Sequence, residues 1–279
     1  IETLVGGRRH PERLELDDGD FLDLDWHRNG NRRLAVISHG LEGCSQRAYV
    51  KGMAKALSET GWDILAWNYR SCSGEPNQTL RFYHNGATED LSRVIDHAVE
   101  TGAYHTLALV GFSLGGNLTL MHLGKDQPHP LVKKAVVFSV PCDLAGSAAV
   151  LKKRGNRIYM TRFLRMLHEK IKIKMQMFPE QISDSGYEKI KDFKAFDDRY
   201  TAPIHGFRDA RDYWKKCSSL PHLVKIRVPT LMVNAIDDPF LSRSCFPYAA
   251  AARNPDLTLL TPDSGGHVGF IRFSRDGLY

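Results

Sequence analysis

From Leu34 onward, short β-branched apolar runs alternate with longer amphipathic segments along the chain. Such an alternation predicts a mostly parallel sheet with helices on both faces, because parallel neighbours must be joined by crossover connections that are usually helical. Thr88 is predicted to cap the second helix. The predicted strands are 34–38, 62–69, 106–111, 134–140, 229–234 and 257–261, and the predicted helices are 49–58, 88–99, 114–124 and 244–252.

Two segments depart from this alternation. Residues 13–26 alternate apolar and polar side chains around Asp18-Gly19, which is typical of a hairpin, so antiparallel strands should open the sheet. Residues 142–222 interrupt the pattern and contain a helical segment, 151–177. Because α/β sheets bind ligands at the carboxyl ends of their strands, this insertion is predicted to cover the site. We therefore expect a single domain, 1–279, with residues 142–222 as an inserted cap.

The composition argues against a membrane span and against a disulfide framework. Hydrophobic residues make up 42% and charged residues 25% of the chain, and no apolar run reaches the roughly 18 residues that a span requires. The five Cys are widely spaced without a C-x-x-C pair, and the twelve His include no H-E-x-x-H. We therefore expect a cytoplasmic protein with reduced thiols and with no metal or other cofactor.

The chain is basic, with a net charge of +6. No nucleic-acid recognition motif accompanies this charge, so we expect a solvated basic surface and no nucleic-acid partner. Within 151–177, Lys and Arg residues interleave with apolar residues, which favours a plain cap helix whose apolar face lines a substrate pocket. The alternative is a basic amphipathic helix that makes weak contact with an anionic membrane surface.

Gly111-Phe-Ser-Leu-Gly115 fits the pattern G-x-S-x-G between a predicted strand and a predicted helix. That context is typical of a nucleophile elbow, in which a strained turn holds the Ser hydroxyl above the sheet. Small residues two positions on either side of the Ser let the strand and the helix approach each other. We therefore predict Ser113 as a nucleophile, and the alternative is an ordinary Gly-rich turn.

A serine nucleophile needs a general base and an acidic group that orients the base. His267 follows the last predicted strand and is the candidate base, while Asp237 and Asp238 follow the strand at 229–234. The order Ser, Asp, His along the chain is that of α/β hydrolases. We favour Asp238 as the acid, because Pro239 stiffens the turn after it, and Asp237 remains the alternative.

Ester chemistry also needs two backbone N–H donors for the oxyanion. The amide of Leu114, directly after the predicted nucleophile, is one candidate. The amide of Leu41, in the loop Ser38-His-Gly-Leu-Glu-Gly43 after the first parallel strand, is the second. His39 in the same loop is predicted to be a structural residue with a local hydrogen bond, rather than a catalytic base.

Short segments spread from about Leu14 to Phe270 carry a family resemblance. They are HGLEG at 39–43, NYRSCSGEPN at 68–77, YHNGATED at 83–90, GFSLGGN at 111–117, NAIDDPF at 234–240 and GGHVGF at 265–270, and within the insertion FD at 196–197, TAP at 201–203, GF at 206–207 and YW at 213–214. Together they resemble the YheT-like α/β hydrolases, and the resemblance is specific because most of these segments are not general hydrolase motifs.

The resemblance implies an α/β-hydrolase fold with an inserted helical cap, and relatives that act on acylglycerols or phospholipids. It also implies the triad Ser113, Asp238 and His267. Two features depart from the family pattern. Ser71 stands where members usually carry Gly, and residues 271–279 are too few for the final helix of other members.

These observations predict a serine hydrolase that cleaves a small-molecule carboxylic ester, of short- to medium-chain acyl or acylglycerol type, through an acyl-enzyme on Ser113. One alternative is acyl transfer to an alcohol acceptor with the same triad. Another is a binding protein on an inactive hydrolase scaffold, against which the intact Ser, Asp and His set argues.

Overall fold

A computed structural model of the chain describes residues 9–270, 273–274 and 277–278. Its main sheet has eight strands in the order β1-β2-β4-β3-β5-β6-β7-β8, in which β1 and β2 are antiparallel, β2 is antiparallel to β4, and the remaining neighbours are parallel. The predicted mostly parallel sheet is therefore confirmed. The strands are β1 (Arg9–Glu15), β2 (Phe21–His27), β3 (Arg33–Ser38), β4 (Asp63–Asn68), β5 (Thr106–Phe112), β6 (Val132–Phe138), β7 (Thr230–Val233), β8 (Leu257–Leu260) and a separate pair, β9 (Phe273–Ser274) and β10 (Gly277–Leu278).

Helices connect the parallel strands and make up most of the insertion. They are α1 (Ala48–Glu59), α2 (Thr88–Thr101), α3 (Leu114–Lys125), α4 (Leu144–Leu151), α5 (Arg157–Met177), α6 (Phe193–Phe196), α7 (Ala202–Ile204), α8 (Ala210–Cys217) and α9 (Tyr248–Arg253), with a π-helical turn at Asp197–Thr201 and 3₁₀ turns at Arg154–Asn156, Tyr187–Lys189, Leu220–Lys225 and Arg243–Cys245. Among the residues described, no helix is both long enough and apolar enough to span a bilayer.

Apolar clusters lie on both faces of the sheet, because successive side chains of a strand point to opposite faces. In β3, Leu34 and Val36 join the cluster that includes α2 and α3, whereas Ala35 and Ile37 join the cluster that includes Val50 of α1. Helices therefore cover both faces, as predicted. Leu34 is fully buried, and burial of a side chain of this size contributes about 2 kcal/mol to the free energy of unfolding.

Most predicted elements lie within two residues of the observed ones, with three corrections. The N-cap of α2 is Ala87 without a side-chain hydrogen bond, so the prediction of Thr88 as the cap is wrong. The predicted helix 244–252 begins only at Tyr248, because Pro247 lacks an amide hydrogen and restricts the residue before it. The predicted helical segment 151–177 is interrupted: α4 ends at Leu151, the first residue of that segment, and the 3₁₀ turn Arg154–Asn156 precedes α5.

The departure at Ser71 has a backbone explanation. Ser71 has φ of +61°, a left-handed conformation that glycine adopts at lower cost than other residues, so the Gly expected from the family pattern would suit the position. The Ser71 hydroxyl donates to Asn77 Oδ1 at 2.5 Å and accepts from the Asn77 amide at 3.0 Å. These two hydrogen bonds offset part of the strain and hold the loop in place.

Residues 142–222, which we call the cap segment, contain α4 to α8. Most of their buried apolar side chains form two clusters that are distinct from those of the sheet. Phe82 and Phe240, which lie outside the segment in sequence, belong to the larger of these clusters and so connect it to loops at the carboxyl edge of the sheet. The ends of the predicted 1–279 domain, and most of 271–279, lie outside the described residues.

Candidate active site

Ser113 occupies a strained turn between β5 and α3. Its φ of +53° and ψ of −115° are unusual for a residue other than glycine. A Cβ atom at Gly111 would lie 2.5 Å from the Gly115 carbonyl oxygen, and a Cβ at Gly115 would lie 2.4 Å from the Ser38 carbonyl oxygen. Glycine is therefore required at both positions, which is the steric relation that the sequence pattern predicts.

The side chains of Ser113, His267 and Asp238 lie in hydrogen-bonding contact. His267 Nε2 is 2.9 Å from Ser113 Oγ, and His267 Nδ1 is 2.9 Å from Asp238 Oδ2 and 3.1 Å from Oδ1. The three residues follow β5, β8 and β7, whose carboxyl ends lie along one edge of the sheet. The Asp238 side chain is inaccessible to solvent, whereas that of His267 is 15% exposed.

Asp237 lies beside this group but has different partners. Its carboxylate accepts hydrogen bonds from the amides of Gly265 and Gly266, at 2.9 and 2.8 Å. Because successive side chains of the turn diverge, Asp237 holds the loop that carries His267, whereas Asp238 contacts the imidazole itself. Of the two acids left open by the sequence, Asp238 alone hydrogen-bonds to the ring among the described residues.

Ser139 supports the histidine loop through a contact that no sequence motif indicates. It follows β6 and has φ of +52°, and its hydroxyl accepts a hydrogen bond of 2.9 Å from the amide of Val268. Val268 is also in a left-handed conformation, with φ of +55°. The two residues are 129 positions apart, so no local spacing could have revealed the contact.

The loop after β3 lies against the elbow. A Cβ atom at Gly40 would be 3.3 Å from Ser113 Cβ, and the Gly40 amide donates to Tyr49 Oη at 3.0 Å. Leu41 and Leu114 both line the cavity that contains Ser113. Within residues 9–270, neither of their amides has a hydrogen-bond acceptor in the protein, so both are available to a ligand.

His39 is completely buried and has partners in its own loop and the next one. Its Nδ1 is 2.8 Å from the Gly40 carbonyl oxygen, and its Nε2 is 3.3 Å from the Tyr69 amide. These partners assign the proton to Nδ1 and leave Nε2 as an acceptor. Burial lowers the pKa of His39 from 6.5 to about 3, so the ring is neutral and structural, as predicted.

Asn117 joins the elbow helix to the cap segment. Its Nδ2 donates to the carbonyl oxygens of Asn85 and Cys217, at 3.1 and 2.8 Å, and its Oδ1 accepts from the Ser219 amide at 3.0 Å. Asn117 is fully buried. Both N–H groups of its side-chain amide and one of the two lone pairs of Oδ1 therefore have partners, and these partners are 32 to 102 residues away.

A cavity of about 120 Å³ lies beside Ser113 and His267. Its lining combines apolar side chains from α4 and α5, which we call the apolar wall, with polar side chains from the loop before α2, the π-helical turn and α8, which we call the polar wall. The apolar wall includes Leu144, Ala148, Leu151, Phe163 and Leu167, and the polar wall includes His84, Asn85, Asp197, Thr201 and Tyr213. No group of His, Cys, Asp and Glu suited to a metal ion occurs in the described part of the chain.

Comparisons with known proteins agree with this geometry. A sequence profile of the alpha/beta hydrolase fold matches residues 36–273. The Escherichia coli (strain K12) protein YheT, which is named as an esterase, is 36% identical over 93% of this chain and 78% of its own length. The Bos taurus phospholipase ABHD3 is 31% identical over 93% of this chain, which spans 66% of the bovine protein. A Pyrococcus furiosus esterase structure matches with a TM-score of 0.67 at 15% identity, over 96% of this chain and 85% of that one.

Proposed function

Because the chain belongs to the α/β-hydrolase fold family and is a carboxylic ester hydrolase of the esterase and lipase type, we propose that Ser113, His267 and Asp238 are its catalytic triad. The observation that carries this proposal is the series of hydrogen bonds from Ser113 Oγ, through both ring nitrogens of His267, to Asp238. A histidine held in this way can accept a proton on Nε2 while the buried carboxylate stabilises the resulting imidazolium.

The reaction proceeds in two acyl-transfer steps. Ser113 Oγ attacks the ester carbonyl carbon while its proton passes to His267 Nε2. The tetrahedral intermediate then expels the alcohol, which takes the proton from His267 and leaves an acyl group on Ser113. A water molecule gives a proton to His267 and attacks the acyl-enzyme, and collapse of the second intermediate releases the acid and restores the Ser113 hydroxyl.

The amides of Leu41 and Leu114 are the proposed oxyanion donors. Both belong to residues that line the cavity beside Ser113, and neither amide has a protein acceptor among residues 9–270. Leu114 is the first residue of α3, so its N–H also lies at the positive end of the helix dipole. Each donor of this kind lowers the barrier by roughly 3 to 4 kcal/mol.

The proposed substrates are esters with short- to medium-chain acyl groups or of the acylglycerol type. The apolar wall from α4 and α5 suits an acyl chain, and the limited volume of the cavity, about 120 Å³, restricts its length. The cap segment, residues 142–222, supplies that wall, and we assign it the role of a cap over the site.

A weak contact between α5 and an anionic membrane surface is part of the proposal. The buried face of α5 includes Leu164 and Leu167, as expected of a cap helix. Its opposite face carries Arg162 and Arg165 in exposed positions together with Ile158, which is 82% exposed, and Arg157 is exposed at the start of the helix. Exposed apolar and cationic side chains on one helix face suit an anionic lipid surface.

The Ser113→Ala variant tests the triad. Its turnover of a p-nitrophenyl ester should fall about a millionfold, as for loss of a nucleophile that acts in concert with its base, and a fluorophosphonate probe should no longer label the protein. Ser147→Ala is the matched control, because Ser147 lines the same cavity but contacts Cys245 instead of His267. Near-normal turnover by Ser113→Ala would remove Ser113 from this role.

A further inference from the structure

Asp197 presents a buried carboxyl group to the cavity beside Ser113. It begins the π-helical turn Asp197–Thr201 and is 8% exposed. Its carboxylate accepts hydrogen bonds from Thr201 Oγ1 at 2.6 Å and from Trp214 Nε1 at 2.8 Å. Within the described ranges, no Lys, Arg or His forms an ion pair with it. Single π-helical turns occur frequently at functional sites, because they displace side chains from the helical register.

A carboxylate in this position is costly to the fold. Burial without a cation disfavours the charged form, and it raises the pKa of Asp197 from 3.8 to about 7. Two donors also satisfy only half of the roughly four lone-pair positions of a carboxylate. Asp197 therefore retains hydrogen-bonding capacity, and it lines the cavity beside Ser113.

Asn85 supplies a second unsatisfied polar group in the same cavity. Its Nδ2 and its backbone amide both donate to Tyr213 Oη, at 3.0 and 3.1 Å, while its buried Oδ1 has no partner. If the amide were rotated by 180°, Oδ1 would accept from the Tyr213 hydroxyl and Nδ2 would lack a partner instead. In either orientation one polar atom of Asn85 is left for a ligand.

Both groups are held in fixed positions by neighbours. The Asn85 carbonyl oxygen accepts from Asn117 Nδ2, which ties this loop to the helix that begins after Ser113. Trp214 of α8 holds the Asp197 carboxylate in place through the hydrogen bond that its Nε1 donates. A rigid pair of unsatisfied polar groups in a largely apolar cavity is typical of a site that orients a polar ligand group.

We propose that Asp197 and Asn85 form a polar subsite that binds the hydroxyl groups of the alcohol portion of the ester. This inference rests on the proposed esterase function and deepens it: it assigns to these two residues the recognition of the polyhydric alcohol in acylglycerol-type esters such as monoacylglycerols. The apolar wall from α4 and α5 accommodates the acyl chain, so the polar wall is left for the alcohol. The two free hydroxyls of a monoacylglycerol can donate to Asp197 and to Asn85 Oδ1, one to each.

The subsite is tested by comparing two esters with the same acyl chain, 1-octanoylglycerol and ethyl octanoate, with free octanoate as the measured product. In the Asp197→Asn variant, kcat/KM for the glyceryl ester should fall at least tenfold relative to the ethyl ester, mainly through KM. In Asn85→Ala the ratio of kcat/KM for the glyceryl ester to kcat/KM for the ethyl ester should fall at least threefold. A purely structural role for these residues would lower kcat/KM for both esters together and would lower Tm.

Asp198→Asn is the matched control. Asp198 is the adjacent acid on the same turn, but it contacts Lys194 and the amide of Ala210 and does not line the cavity. The ratio of the kcat/KM values for the two esters should be unchanged in this variant. If Asp197→Asn does not fold, Asn85→Ala decides the question. A ratio within twofold of the unmodified protein in every folded variant of Asp197 and Asn85 would overturn the subsite.

Binding measured without catalysis separates this inference from the proposed function. The ethers 1-O-octylglycerol and octyl ethyl ether cannot be hydrolysed, and calorimetry should give tighter binding for the glyceryl ether, a preference that Asp197→Asn abolishes. Hydrolysis of neither ester by the unmodified protein would refute the proposed function, while the ether preference would still support the subsite. Equal binding of the two ethers would refute the subsite alone.

Discussion

Replacement of Asp238 with Asn should lower kcat by about 10⁴-fold, whereas the same replacement at Asp237 should lower it by no more than about tenfold. The two residues are adjacent and carry the same charge, so each variant serves as the control for the other. The difference between them follows from their partners: Asp238 contacts His267 Nδ1 with both oxygens, and Asp237 contacts two backbone amides.

The magnitude at Asp238 follows from its burial. Its side chain is inaccessible to solvent. When the carboxylate is lost, no water molecule can therefore take its place in stabilising the imidazolium that forms in the transition state. A 10⁴-fold loss corresponds to about 5.4 kcal/mol in the activation barrier. At Asp237 the amides of Gly265 and Gly266 lie in an exposed loop and can bind water instead, so we expect a moderate loss of order in the loop.

The assay is kcat for p-nitrophenyl butyrate at saturating concentration, with circular dichroism and Tm measured for each variant. Asp238→Asn should keep its fold and bind substrate with a similar KM. The reasoning is refuted if folded Asp238→Asn retains more than about 1% of kcat, or if Asp237→Asn loses as much activity as Asp238→Asn.

Three further results are expected. Gly115→Ala should fail to fold or lose more than about 3 kcal/mol of stability, because its Cβ would lie 2.4 Å from a backbone oxygen of the neighbouring strand. The control is Gly52→Ala, a helical site with no atom within 4 Å of the added Cβ, which should raise Tm slightly. An equal change in the stability of the two variants would contradict the steric argument. Burial raises the pKa of Asp197 from 3.8 to about 7, so the folded chain binds this proton more tightly than the unfolded chain. The contribution of Asp197 to stability is therefore full below about pH 4 and declines as pH rises to about 7. The free energy of unfolding, measured with denaturant across this range, should show a decline that Asp197→Asn lacks, and the same pH dependence in that variant would contradict this prediction. The double variant Arg157→Glu with Ile158→Glu should lose flotation with anionic liposomes at low salt while keeping kcat for p-nitrophenyl butyrate, and absence of flotation by the unmodified protein would remove the membrane contact.

The elbow and the positions of the parallel strands along the chain could be predicted because each depends on local spacing. Gly111 and Gly115 flank Ser113 at fixed distances, since the strand and the helix meet within van der Waals contact there. Alternating apolar runs give strand and helix lengths directly. The geometry of the two adjacent acids was less accessible, because Asp237 and Asp238 differ in the direction of their side chains and not in residue type.

The remaining parts of the site depend on contacts that no short pattern encodes. Ser139 reaches Val268, and Asn117 reaches Asn85 and Ser219, across long sequence separations. Each of these polar residues lies in a segment where the sequence suggests only a strand end, a helix or a loop. Tertiary structure brings them together, and the sequence pattern then identifies the strands and helices that hold them but not the hydrogen bonds between them.

The backbone conformations at Ser113, Ser139 and Val268 bear on laboratory evolution of this protein. All three have positive φ, and conformations of this kind cost of order 1–3 kcal/mol each in residues other than glycine. A screen that selects only for heat resistance should therefore accumulate Gly or Asn at these positions and reward clones that no longer turn over substrate. Libraries built for thermostability should keep these three codons fixed.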